Sequence, residues 1–254
     1  MAFLQMDIKS SVLDMQTSLF ITIPCELHPV PSEGYRVAYL LHGIGNNHSN
    51  WMRNTSVERY ANERGIALVM PEVQRSFYTD MRYGMDYFSY ITDELPKRCR
   101  ELFPFSEKRE DTFVAGVSMG GYGAFKCALS RPDVFGRAAS LSGALDAVET
   151  MKLANEHQRQ EMVALYDPDG PVPPDCNLYQ LADGCKASGQ VPALYFCCGE
   201  DDFLLEQNHD FRRHLDDISL AYRYEEGPGE HQWGFWDEYV QHALDFFLED
   251  SSEK

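Results

Sequence analysis

The chain has 254 residues, 44% of them hydrophobic and 13% aromatic, and a formal net charge of -18. That length and interior suit one large globular core and argue against disorder. The acidic balance argues against nucleic acid and anionic membrane as partners and against a strongly anionic substrate, and no apolar run reaches the length of a membrane span.

Taken in chain order, apolar stretches alternate with helical patterns. Ala2 to Lys9 and Ser18 to Ile23 read as an opening antiparallel pair ended by Pro24, and Tyr35 to Leu41 as a buried strand running into His42-Gly43. Ser56 to Arg64 is helical and stops at Gly65, and Ile66 to Met70 follows as a strand. Asp86 to Leu102 reads as a longer helix with Pro96 as a kink point. Asp111 to Ala115 is short, β-branched and aromatic, as a buried strand is, while Gly121 to Leu129 has the small and apolar residues of a helix pressed on a sheet. Beyond it come a strand at Arg137 to Leu141, a helical stretch from Ala147 to Leu165 and a strand at Ala193 to Cys197. A helix from Phe203 to Asp217, a strand at Ala221 to Tyr224 and a helix from Gln232 to Leu248 complete the pattern. The alternation predicts an α/β protein with a mostly parallel sheet covered on both faces.

The segment from Tyr166 to Gln190 breaks this rhythm. Asp167-Pro168-Asp169-Gly170-Pro171-Val172-Pro173-Pro174 fits neither a core helix nor a central strand. It reads either as an insertion over the C-terminal edge of the sheet or as a surface loop without a role. The expectation is one domain over 1–254, with a cap-like insertion at about 146–190. The start, Met1 to Asp7, lacks the basic and apolar regions of a signal peptide. Seven cysteines fit no zinc or disulfide spacing, and Cys127, Cys197 and Cys198 lie in apolar segments as reduced core residues would. The expected compartment is the cytoplasm, and the cysteine spacing points to no metal site.

The chemistry begins at Gly116-Val117-Ser118-Met119-Gly120. A G-x-S-x-G between strand and helix is the nucleophile elbow of the α/β-hydrolase fold, in which the serine sits at the positive end of a helix. Such a serine needs a base, and the base an acid, in the chain order Ser, Asp or Glu, His. His157, His209, His214 and His242 fall in helical patterns, whereas His231 lies in a loop after the last strand, behind Gly227-Pro228-Gly229-Glu230. The acid belongs after the preceding strand, in Gly199-Glu200-Asp201-Asp202-Phe203, where Asp201 and Asp202 are equivalent by composition and Glu200 is weaker. Oxyanion donors are expected from the N–H of Met119 and, in the loop His42-Gly43-Ile44-Gly45-Asn46-Asn47, from that of Ile44. His42 itself reads as structural. Trp51 and Trp233, and less so Trp236, either wall a small acyl pocket or pack the core.

Several of these stretches recur together in one family. They are Leu40-Leu41-His42-Gly43, Tyr83 to Tyr87 with Ile91 to Pro96, Gly116 to Ala124, Cys198 to Leu204, and His231-Gln232-Trp233-Gly234-Phe235-Trp236. From Met1 to Leu248 the chain resembles the esterase D and S-formylglutathione hydrolase-like serine esterases, and among them the bacterial tributyrin or acetyl esterase branch. The resemblance implies a cofactor-free serine esterase and selects Asp202, the carboxylate before Phe203-Leu204, as the acid. Gln232 departs from the pattern where relatives often carry Asp, and Glu200-Asp201 where a Thr-Glu pair is common. Both could alter the charge near the triad. The expected function is a serine carboxylesterase on small-molecule short-chain acyl esters, working through an acyl-enzyme. S-formylglutathione-type thioesters and acetyl or feruloyl esters of sugars are the alternatives, and so is a non-catalytic binding module, which the intact Ser-Asp-His order disfavours. A homo-oligomer is compatible with the sequence.

Overall fold

The computed structural model describes residues 1–153, 155–166 and 172–249. Asp167 to Pro171 of the Pro-rich segment lie outside the described residues. Among the described residues the strands are β1 (Ala2–Ser10), β2 (Met15–Ile23), β3 (Arg36–Leu41), β4 (Ile66–Pro71), β5 (Thr112–Val117), β6 (Arg137–Leu141), β7 (Ala193–Gly199) and β8 (Arg223–Gly227). They form one eight-stranded sheet in the order β1-β2-β4-β3-β5-β6-β7-β8. β1 and β2 pair antiparallel, as do β2 and β4, and every other pairing is parallel.

Parallel neighbours require crossovers, which helices supply. α1 (Asn50–Asn54) and α2 (Val57–Glu63) lead into β4, α3 (Tyr87–Ser89) and α4 (Leu95–Leu102) into β5, and α5 (Met119–Ser130) into β6. Then α6 (Ala147–Leu153), α7 (Glu156–Leu165) and α8 (Leu178–Ser188) lead into β7, α9 (Leu205–Asp217) into β8, and α10 (Trp233–Leu248) follows the sheet. Side chains alternate across the strands. Val37, Tyr39 and Leu41 pack with Tyr122, Phe125 and Phe211 on one face. Ala38 and Leu40 pack with Phe113, Val240 and Phe247 on the other.

Several elements differ from the sequence reading. The predicted helix from Asp86 to Leu102 is broken by a π-helical turn at Tyr90–Glu94, with Pro96 in the first turn of α4. A proline there has no N–H for the carbonyl four residues back, and the wider turn accommodates its ring. The stretch from Ala147 to Leu165 is two helices, because Asn155 caps α7 through a reciprocal bond with Gln158. Within Tyr166 to Gln190, Leu178–Ser188 is a helix whose Leu178, Ala182 and Cys185 are buried, and the Asn177 side chain caps it. β8 begins two residues later than expected. It is a charged edge strand, with Glu225 bonded to Arg223 and His242 and Glu226 to His209.

Candidate active site

The site lies where β5, β7 and β8 end. β5 passes straight into α5 with Ser118 between them, at φ 57° and ψ -118°. That backbone is costly for a residue with a side chain, so the surroundings must enforce it. They do. A β-carbon at Gly116 would come within 2.2 Å of the Gly120 carbonyl oxygen, and one at Gly120 within 2.3 Å of that of Leu41. The Ser118 N–H donates to the Leu141 carbonyl at 3.0 Å, and the Ser118 carbonyl accepts from Gly121, Tyr122 and Ala144. The serine thus caps a 12-residue helix with its hydroxyl near the positive end.

At the end of β7, Asp202 is 5% exposed, whereas the Asp201 side chain is exposed. The turn that separates them is fixed by backbone bonds from Asp201 to Gly229 and from Asp202 to Gly199. The His231 Nδ1 lies 2.9 Å from Asp202 Oδ2 and 3.1 Å from Oδ1. Oδ1 also accepts the Leu204 N–H at 2.9 Å. Burial of Asp202 works against its charge, but the His231 hydrogen bond and attraction, followed by the Leu204 amide, outweigh it and hold the carboxyl below the ordinary range. An ionised acid on Nδ1 keeps the hydrogen there and leaves Nε2 to act as the base. The imidazole sits between Phe203, at 4.6 Å between ring centres, and Trp236, at 4.9 Å. Trp236 in turn donates its Nε1–H to Ser142 Oγ at 3.0 Å.

The glycine loop after β3 backs onto the nucleophile: a β-carbon at Gly43 would lie 3.4 Å from that of Ser118. His42 is buried, with Nδ1 donating to the Gly43 carbonyl at 2.9 Å and Nε2 accepting the Val73 N–H at 3.2 Å. Its carbonyl takes the Tyr78 hydroxyl at 2.8 Å. His42 therefore fixes the loop, in the structural role expected of it.

A cavity of about 160 Å³ opens beside Ser118. Ile44 and Met119 line it, as do the apolar Phe77, Met162, Leu165 and Phe203. The Arg75 guanidinium at its rim bonds Glu161 of α7 at 2.7 Å. Of the two roles open to Trp51, pocket wall or core packing, the structure gives the second: it is fully buried, with its Nε1–H on the Leu41 carbonyl. Trp233 is half-buried between Trp51 and Trp236 at 5.4 and 5.1 Å and is absent from the lining of this cavity. Trp51 anchors the end of β3, and Trp233 packs against Trp236, the ring that stands against His231. The real walls come largely from α7 and the loop after β4, and no local motif marked them. The other helical histidines pair with surface carboxylates, His157 with Glu161, His209 with Glu226, His214 with Asp183 and His242 with Glu225.

A serine raised on a strained turn, at the same edge of the sheet as an imidazole already oriented by a buried carboxylate, is the arrangement of a serine hydrolase, and its sheet is that of the α/β-hydrolase fold. Comparison with known proteins narrows the class. Residues 10–247 match the family model described as "Putative esterase", and the chain belongs to this esterase family. An acetyl esterase of Caldicellulosiruptor saccharolyticus is 29% identical over 260 residues, covering 97% of this chain and 98% of that one. FphF, a fluorophosphonate-binding serine hydrolase of Staphylococcus aureus solved with substrate bound, is 34% identical, with 98% and 99% coverage and a TM-score of 0.89. The apoenzyme of FrmB, an S-formylglutathione hydrolase of the same species, is 34% identical, with 98% and 99% coverage and a TM-score of 0.86. The chain is a serine carboxylic-ester hydrolase. Among the described residues, no helix is long and apolar enough to cross a membrane.

Proposed function

We propose that the chain hydrolyses acetyl to butyryl esters through an acyl-enzyme on Ser118. The observation that carries this reading is His231 held by the buried Asp202, together with a small, mostly apolar cavity at the serine. Ser118 Oγ attacks the ester carbonyl as His231 Nε2 takes its proton, and Asp202 stabilises the imidazolium. The N–H groups of Met119 and Ile44 hold the oxyanion. His231 then protonates the departing alcohol, and water, activated by the same imidazole, releases the acid. The small cavity and the acetyl esterase relative both favour short acyl groups. The helices over residues 147–165 serve as the cap, since Thr150, Met162 and Leu165 reach the cavity. Free cysteines throughout fit a reducing compartment, the cytoplasm.

A thioester of the S-formylglutathione type is the second reading, favoured by the likeness to FrmB. One assay addresses both: kcat/KM for p-nitrophenyl acetate, butyrate, octanoate and dodecanoate, beside S-formylglutathione. The proposal expects a maximum at acetate to butyrate. A steady rise to dodecanoate overturns the short-chain reading, and a much higher value for the thioester replaces it with the second.

A further inference from the structure

The loop that carries Ile44 has an anchor that the triad does not require. Glu72 follows directly on the end of β4 and is about one-fifth exposed, at 21% of its side-chain surface. Its Oε2 accepts the His48 backbone N–H at 3.2 Å and lies 3.1 Å from His48 Nδ1. Its Oε1 accepts the Gln74 N–H at 2.8 Å and sits 3.5 Å from His42 Nε2. One carboxylate thus grips the far end of the oxyanion loop at His48 and stands against its near end at His42. Gly43, Ile44 and Gly45 lie between that hold at His48 and His42, which its own bonds to Gly43 and Val73 fix. Gly45, at φ 79°, has open space around it, so a glycine-rich span gains little rigidity from its own packing.

We propose that Glu72 is a positioning residue for transition-state stabilisation, holding the loop so that the Ile44 N–H stays aimed at the developing oxyanion. This rests on the assignment of Ile44 as an oxyanion donor made above. The chemistry follows from geometry. An oxyanion donor works because it is already in place when charge develops, and a lost donor costs about 10² to 10³ in kcat. A slackened donor should cost less than a lost one. Misplacement of about 1 Å can cost roughly 10²-fold. Substrate in its ground state makes no such demand, so KM should hardly move.

The test compares wild type, Glu72→Ala, Glu72→Gln and His48→Ala on p-nitrophenyl acetate, each normalised to the fraction of serine titrated by a fluorophosphonate. We expect kcat per titrated site to fall about 10- to 100-fold in Glu72→Ala, with KM within about threefold. Glu72→Gln keeps one acceptor and should recover part of the loss, and His48→Ala should lower kcat in the same sense. A trifluoromethyl ketone, which forms an oxyanion on the serine, should lose affinity in parallel with kcat. Normalisation removes any loss that comes only from misfolding, and if Glu72→Ala does not fold, the other two variants carry the comparison. Unchanged kcat per titrated site in the folded variants overturns the proposal. Ser118→Ala, run beside them, separates the two claims: an inactive Ser118→Ala with fully active Glu72 variants refutes only the anchor, whereas an active Ser118→Ala refutes the esterase mechanism beneath it.

Discussion

Asp201 and Asp202 differ by one position and by nearly everything physical. Composition leaves them equivalent, and the family resemblance points to Asp202. The turn after β7 buries Asp202 against His231 and leaves Asp201 in solvent, where its field is screened. Asp202→Asn should therefore lower kcat by about 10⁴-fold, the penalty known for such a change in a serine protease triad. Asp201→Asn should stay within a few-fold of wild type, and both are read on one acetate ester. A second residue-scale expectation concerns acid. Burial raises the Glu72 carboxyl, but the hydrogen bonds it accepts from His48 and the Gln74 amide outweigh it and hold it below the usual glutamate range. The folded state thus holds this proton less tightly than the unfolded state. Its stabilising contribution is complete above the unfolded value and is lost as pH falls below the usual glutamate range. Urea midpoints at pH 5 and pH 2.5 should fall less steeply in Glu72→Gln than in wild type.

At the scale of elements, much of the chain was legible because patterns were strong. The buried parallel strands are near-continuous apolar runs, and the elbow's glycines mark a turn that tolerates almost no side chain. Weak or competing signals produced the differences. β8 has Tyr224 as its one large apolar residue, so hydrophobicity placed the strand too early, and backbone pairing with β7 together with side-chain ion pairs holds it. α8 follows a proline cluster that masked its Asn177 cap. The acyl chamber was the least legible part. Its walls, Phe77, Met162, Leu165 and Phe203, are distant in sequence and meet only because α7 folds back over the site. Backbone bonds from Arg82 to Leu165 and from Tyr83 to Ala164 fix that return. If Met162 sets the depth of the chamber, Met162→Ala should raise the octanoate-to-acetate ratio of kcat/KM by about tenfold. That is the lower range for one accommodated methylene. An unchanged ratio would move the acyl group elsewhere.

For the whole molecule, the net charge of -18 sets a negative field. The Arg75 cation at the cavity is offset by Glu161. A monoanionic ester, such as a hemisuccinate, should be hydrolysed less efficiently than its neutral butyrate counterpart. The gap should narrow as salt rises from about 10 to 200 mM and the screening length falls below roughly 10 Å. Stopped assays at the two ionic strengths measure it. The same whole-molecule view explains why fold and triad were readable together. In this topology strand order brings Ser118, Asp202 and His231 to one edge, so finding the strands nearly finds the site.

The central claim is a covalent acyl group on Ser118. Acid-quenched mass spectrometry of the protein mixed with p-nitrophenyl acetate, followed by peptide mapping, tests it most directly. The account predicts one acetyl group on the peptide that contains Ser118, accumulating in wild type and absent from Ser118→Ala. An acetyl group mapped to another residue, such as the exposed Cys25, with turnover undiminished in Ser118→Ala, would contradict it.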